Sequence, residues 1–214
     1  MSKKQFVSYL SDSILAGLMI GVGGAVSLSS DNRYVGAVLF SLGLLTIVHF
    51  KLGLYTGKVG NIVRNGAKFI PEVLVTLLGN AIGTFISAML LKMTRIAPAL
   101  VEKVSATVET KTSDSVLSMF VLGIFCGMLM FIAVDGFRKN REVSDSTAGY
   151  MFVVFPVVVF IICGFNHCIA DMFYIFLSGA YSVSSLIYLA VVILGNAAGG
   201  MLIPAVKLLS ENKL

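Results

Sequence analysis

The sequence predicts an all-α integral membrane protein: six transmembrane helices in two inverted three-helix repeats, with helices two and five broken. Three observations predict it. The first is composition: of 214 residues, 57% are hydrophobic and only 13% charged, against about 25% charge in soluble domains. The second is spacing, since the uncharged stretches have the ~20-residue length that crosses a bilayer core as helix. The third is a repeated string, Leu78-Gly79-Asn80-Ala81-Ile82-Gly83 and Leu194-Gly195-Asn196-Ala197-Ala198-Gly199. The mean hydropathy of +0.93 argues against an ordinary soluble enzyme, and the 21 glycines suit close helix packing. Disorder, a collagen repeat and a disulfide scaffold are excluded by the same composition.

The spans follow in order. Ser13 to Ser30, Tyr34 to Phe50, Val73 to Leu91 and Ser115 to Val134 each give one. The fifth begins after Asp145 and runs to Ala170; past Asp171, a turn at Gly179 to Ser185 leads into the sixth, which ends before Lys207. Ser2 to Asp12 is polar and charged, so no removable leader is expected there. It reads as an interfacial lead-in with Phe6, Val7 and Leu10 facing lipid or protein. The stretches at 93–112 and 179–185 read as compact loops. The whole chain, 1–214, reads as one domain, with repeats at approximately 13–92 and 113–208.

An even span count puts both termini on one side. That side holds Lys3, Lys4, Lys58, Arg64, Lys68, Arg138, Lys139, Arg141, Lys207 and Lys213; the other holds Arg33, Lys92, Arg95, Lys103 and Lys111. The excess of basic residues places both termini in the cytoplasm of a cell-membrane protein. Net charge of +5 therefore reflects topology, and no nucleic-acid partner is expected. Cys126, Cys163 and Cys168 lie in apolar stretches and read as small buried hydrophobes. Neither a metal-type His/Cys cluster nor a catalytic serine motif is present, so no cofactor and no enzymatic activity are expected.

Each half is interrupted in its middle span. Lys51-Leu52-Gly53-Leu54-Tyr55-Thr56-Gly57-Lys58 breaks the second, and Cys163-Gly164-Phe165-Asn166-His167 breaks the fifth. Irregular backbone at membrane depth is tolerated where protein covers it or a cavity hydrates it. Corresponding breaks in inverted halves mark a central permeation site. His49, beside Lys51 at a helix end, reads as structural or interfacial. The Gly79/Gly83 and Gly195/Gly199 pairs, four apart, would let helices approach closely.

At these residues the sequence resembles the formate/nitrite transporter family, pentameric six-helix channels for small monovalent anions. The resemblance rests on AGLMIGVGGA in span one, FSLGLL and LYTG in span two, LGNAIG in span three, LGIFC in span four, FP and GFNHCIADMF in span five, and LGNAAGG in span six. It covers Ala16 to Gly200. It implies a protomer resembling an aquaporin, each with its own pore, assembling as a homopentamer. The family's central histidine falls on His167, and the loop threonine that hydrogen-bonds it falls on Thr56. Apolar constrictions fall on Phe40, Leu44, Leu54 and Phe160, the span-six asparagine on Asn196, and the mouth lysine on Lys111, in what reads as a loop. Departures from the family pattern are Asn166 for a glutamate, Asp171 and Gly127 for asparagines, and Gly53 for an acid.

The function expected from the resemblance is passage of the anion of a weak acid, such as formate, nitrite or hydrosulfide. An anion at the low-dielectric centre is costly by several kcal/mol, so it would take a proton at or through His167 and cross as neutral acid. His167 is the central group whose unperturbed pKa, near 6.5, permits this. Thr56 would donate to the substrate or orient the ring, while Lys51, Lys58 and Lys111 would attract anions. Asp171, four residues beyond His167, would either couple to the imidazole, or face a helix interface or cap backbone amides. The alternative function is a neutral small-solute channel of the same fold, because the family's usual acidic residues are missing. The paired Asn-Pro-Ala signatures of aquaporins are absent.

Overall fold

The computed structural model describes residues 2–142 and 146–211; Lys213, counted above among the terminus-side cations, lies outside them. The first helix, α1 (Lys3–Ser29), starts at a capping box in which Ser2 and Gln5 satisfy each other's backbone N–H. It runs unbroken through Asp12 to Ser29, with Phe6 and Val7 exposed. Then come α2 (Arg33–His49), the short α3 (Tyr55–Lys58) and α4 (Ile62–Asn65), and the long α5 (Ile70–Lys92).

Between the two halves lies α6 (Ala97–Thr112), a helix in place of the compact loop expected at 93–112. Its Leu100, Val104 and Val108, four apart, form a buried stripe that packs on α9. The rest comprises α7 (Val116–Glu142), α8 (Ser146–Cys163), α9 (Cys168–Ser178) and α10 (Val183–Glu211). The turn before α10 is shorter than expected, because helix resumes at Val183.

Four of these helices are long and apolar enough to cross a membrane, and α8 with α9 makes a fifth span bent by 55° at its break. α2, of 17 residues, is a shorter apolar helix.

Glycine contacts show why the long helices pair as they do. α1 packs on α5, and α7 on α10. A Cβ at Gly83 would run into the carbonyl oxygen of Ile14, and one at Gly17 into that of Asn80. In the other half, a Cβ at Gly199 would meet the carbonyl of Ile124, and one at Gly127 that of Asn196. The two crossings thus repeat residue for residue, with glycines removing the side chains that would hold the backbones apart.

The breaks repeat just as closely. α2 ends with Leu52 N–H donating to Ile47 O at 2.9 Å and Lys51 N–H to Val48 O at 3.4 Å. α8 ends with Phe165 N–H donating to Phe160 O at 2.9 Å and Gly164 N–H to Ile161 O at 3.2 Å. Both are Schellman turns, which need a left-handed residue after the helix. Gly164 supplies it at φ 72°, whereas Lys51 adopts φ 57° with a full side chain. A left-handed non-glycine residue costs about 1–2 kcal/mol. Lys51→Gly is therefore expected to leave unfolding in detergent unchanged or raise the midpoint, while the β-branched Lys51→Val lowers stability by about 1–2 kcal/mol; a thermal melt distinguishes them.

Candidate functional site

Two buried asparagines hold the broken segments. Asn80 Oδ1 accepts from Tyr55 N–H at 2.9 Å, and its Nδ2 donates to Ser13 O and Gly53 O, each at 2.8 Å. Asn196 does the same in the other half: Oδ1 accepts from Cys168 N–H at 2.9 Å, and Nδ2 donates to Gly123 O and Asn166 O at 2.8 Å. Each amide is fully buried and replaces the backbone partners that the interrupted helix lacks. Asn196, expected at the pore, thus has its amide engaged by backbone. Asn80, which stands at the same place in the repeated string, is its counterpart.

Arginines finish the broken helices from outside. Arg33, at the start of α2, donates from Nη2 to Ile161 O and Ile162 O at the end of α8, at 3.0 and 2.9 Å. Arg141, in the last turn of α7, donates to His49 O at the end of α2 at 3.5 Å. Each half's broken helix therefore has its last carbonyls met by a guanidinium from the other half, as helix C-termini favour. The exposed His49 lies here, its ring edge-on to Phe50.

The two breaks meet at Thr56 and His167, whose Oγ1 and Nε2 lie 3.1 Å apart, both residues buried. His167 is also the N-cap of α9, its Nδ1 accepting from Ala170 N–H at 3.1 Å. A nitrogen that accepts carries no proton, so the neutral ring is the Nε2–H tautomer and donates to Thr56 Oγ1. The threonine hydroxyl keeps its own hydrogen free to donate. Phe160 stacks on the imidazole with centroids 5.6 Å apart, and Phe40 meets Phe160 edge-on at 5.5 Å. Leu44 and Leu54 are buried in the same apolar core, Leu54 directly preceding the α3 turn that carries Thr56.

Beside Leu54 opens a vestibule of about 610 Å³, lined among others by Lys51, Lys58, Arg138 and Arg141. Lys58 is an ion pair with Glu72 at 2.7 Å and lies over the Tyr9 ring. Asp135 holds Arg138 at 2.5 Å, Lys139 at 2.8 Å and Arg64 at 3.5 Å, joining α4 to α7. Of the three lysines expected to attract anions, Lys58 is therefore charge-paired and Lys51 reaches an exposed position.

Lys111 departs furthest from expectation. It sits in the last turn of α6, not in a loop, and turns inward. Its Nζ is 2.7 Å from Asn166 Oδ1, 3.1 Å from Asp171 Oδ1 and 3.5 Å from Tyr188 Oη. Tyr188 donates to the other carboxylate oxygen, Oδ2, at 2.7 Å. The Asp171 carboxylate thus faces the α6–α10 interface, and it is the Asp171 backbone N–H that bonds to His167 O, at 2.9 Å. Asn166 spans Lys111 and Met119 O, the latter at 3.4 Å. Cys126 and Cys168 are buried as expected, whereas Cys163 is exposed at the end of α8. Among the described residues, no group of three or more His, Cys, Asp or Glu side chains is placed to hold a metal.

Known proteins are similar to this chain in sequence and fold. The family model for formate/nitrite transporters matches residues 1–209. The formate channel FocA of Haemophilus influenzae is 27% identical over 194 residues, covering 81% of this chain and 67% of that protein. FocA of Escherichia coli is 26% identical over 153 residues, and the matched region spans about half of its length, 53%. An uncharacterized transporter of Bacillus subtilis, YrhG, is 25% identical over 188 residues, 80% of this chain and 68% of that one. Among solved structures, a pentameric formate channel with formate bound superposes with a TM-score of 0.82 at 22% identity over the whole of both chains. An ion channel of the same family gives 0.79 at 21% identity, over 96% of this chain and 89% of the other. With the family model matched along nearly its full length and the fold repeated in those structures, the chain belongs to the formate/nitrite transporter family.

Proposed function

We propose that the protein is a cell-membrane channel for small monovalent anions of weak acids, formate, nitrite, hydrosulfide or similar, with proton exchange at His167. The observation that carries the reading is the Thr56–His167 contact, which joins the two breaks under an apolar lid of Phe40 and Phe160. Family membership and the formate channels among its relatives support the substrate class. We propose likewise a homopentamer in a lipid bilayer with both termini cytoplasmic, and repeats at approximately 13–92 and 113–208.

The anion enters past the basic vestibule or from the Lys111 side and reaches apolar narrows at Leu54 and Leu44, and at Phe160 and Phe40. Hydrated cations are excluded there because nothing replaces their water. The carboxylate or its equivalent meets the free hydroxyl hydrogen of Thr56. A proton taken up at Nδ1 makes the ring imidazolium; Nε2–H then passes a proton to the anion, directly or through Thr56 Oγ1, and the neutral acid crosses. Protonation at Nδ1 requires the Ala170 N–H to let go, which ties proton exchange to the first turn of α9.

His167→Asn tests this, because asparagine still caps a helix but does not titrate. Uptake of formate with its accompanying proton into proteoliposomes is expected to fall about 100-fold, a typical contribution of positioned proton transfer. Parental uptake that carries full negative charge at every pH would exclude neutral passage. Uptake of a neutral solute that formate does not compete with would instead support a neutral-solute channel.

A further inference from the structure

The Lys111–Asp171 pair lies where a single uncompensated charge would bias what enters. Asp171 is 2% exposed and Lys111 17% at their side chains, 3.1 Å apart. Both carboxylate oxygens are taken, one by the ammonium and the other by the Tyr188 hydroxyl. The ammonium also holds Asn166, the residue immediately before His167, so it stands one side chain from the meeting point of the two breaks. The titratable groups in electrostatic contact with Asp171 are Lys111 from α6, Tyr188 from α10, Cys126 from α7, and Tyr174 and Cys168 on α9 itself. Lys111 is the cation among them.

We propose that Asp171 is a specificity-determining residue: by cancelling the charge of Lys111 beside the His167 break, it makes this side of the pore favour the uncharged acid over the anion. The inference rests on the weak-acid reading above. An unpaired ammonium about 10 Å from a site of effective dielectric ~20 favours a monovalent anion there by roughly tenfold. With the carboxylate beside it the pair acts as a dipole, whose field falls away faster with distance. Lys111 then anchors Asn166 and leaves the pore nearly neutral.

The experiment uses purified full-length protein in proteoliposomes, with formate as probe, measuring charge moved per formate taken up. Asp171→Asn keeps the size of the side chain and one of its two acceptor oxygens, and removes its charge. It is expected to raise formate-anion current about tenfold, with the gain suppressed by salt, and Lys111→Met added to it is expected to restore the parental charge per formate. Lys111→Gln, with the carboxylate retained, is expected to lower the anion current while uncharged uptake persists, and it decides the matter should Asp171→Asn fail to fold. The proposal is overturned if folded Asp171→Asn moves the parental charge per formate, if the double variant keeps the gain, or if Lys111→Gln leaves the current unchanged. Failure of the parental protein to carry formate, nitrite or hydrosulfide at all would sink the weak-acid reading itself, whatever these variants do.

Discussion

Asn196→Ala and Asn80→Ala are each expected to abolish the folded protein, with unfolding midpoints in detergent lost or lowered by far more than ordinary core variants show. Each asparagine satisfies three backbone groups at a break: Tyr55 N–H with two carbonyls in one half, Cys168 N–H with two in the other. A buried group left without a partner costs about 1–3 kcal/mol, so three together approach ~3–9 kcal/mol. That range overlaps the whole stability of many domains, ~5–15 kcal/mol. Asn→Asp at either site keeps the acceptor and loses both donors, and is expected to behave nearly as badly. Size-exclusion profiles and thermal melts of the two alanine variants make the check. A midpoint within a few degrees of the parent for either one would show that the amide is not what holds that break.

Gly199→Val and Gly83→Val are expected to disrupt the α7–α10 and α1–α5 crossings with similar severity. A Cβ at Gly199 overlaps the Ile124 carbonyl, and one at Gly83 the Ile14 carbonyl. These neighbours are helix backbone, which cannot rotate aside as a side chain would. Overpacking in cores costs typically ~1–3 kcal/mol; here separating the helices also pulls Asn196 or Asn80 away from the break it holds. The expected outcome is loss of monodisperse protein for both. Gly66→Val, where a Cβ meets nothing within 4 Å, is the comparison at an uncrowded glycine, its defect limited to the strain of φ 72°. Equal yields of all three variants would remove the close-crossing explanation.

Much of this was legible in the chain. Uncharged tracts of membrane-crossing length gave the spans, and the duplicated GNAxG string gave both the repeat and the residues at its two crossings. The glycines and polar residues interrupting spans two and five located the breaks, and motif order located Thr56 and His167, which the fold brings within 3.1 Å. The helix at 97–112 was also signalled, by Leu100, Val104 and Val108 at four-residue spacing, but its charges at Glu102, Lys103, Glu109 and Lys111 gave it the look of a loop. Lys51 offered no local clue to its left-handed backbone, since its glycine counterpart, Gly164, is recognisable only once the two Schellman turns are aligned.

By itself the sequence determined that the protein lives in a bilayer, spans it with paired inverted halves, and carries one histidine at a central break. These follow from hydropathy, period and local motif, which act over neighbouring residues. Tertiary structure decided which groups those elements bring together. Arg33 reaches carbonyls 128 and 129 positions away. Lys111 and Asp171 meet from different helices, 3.1 Å apart. A burial pattern says that a side chain is inside; only the packing of helices, fixed here by glycine crossings and two asparagine braces, says what it will meet there.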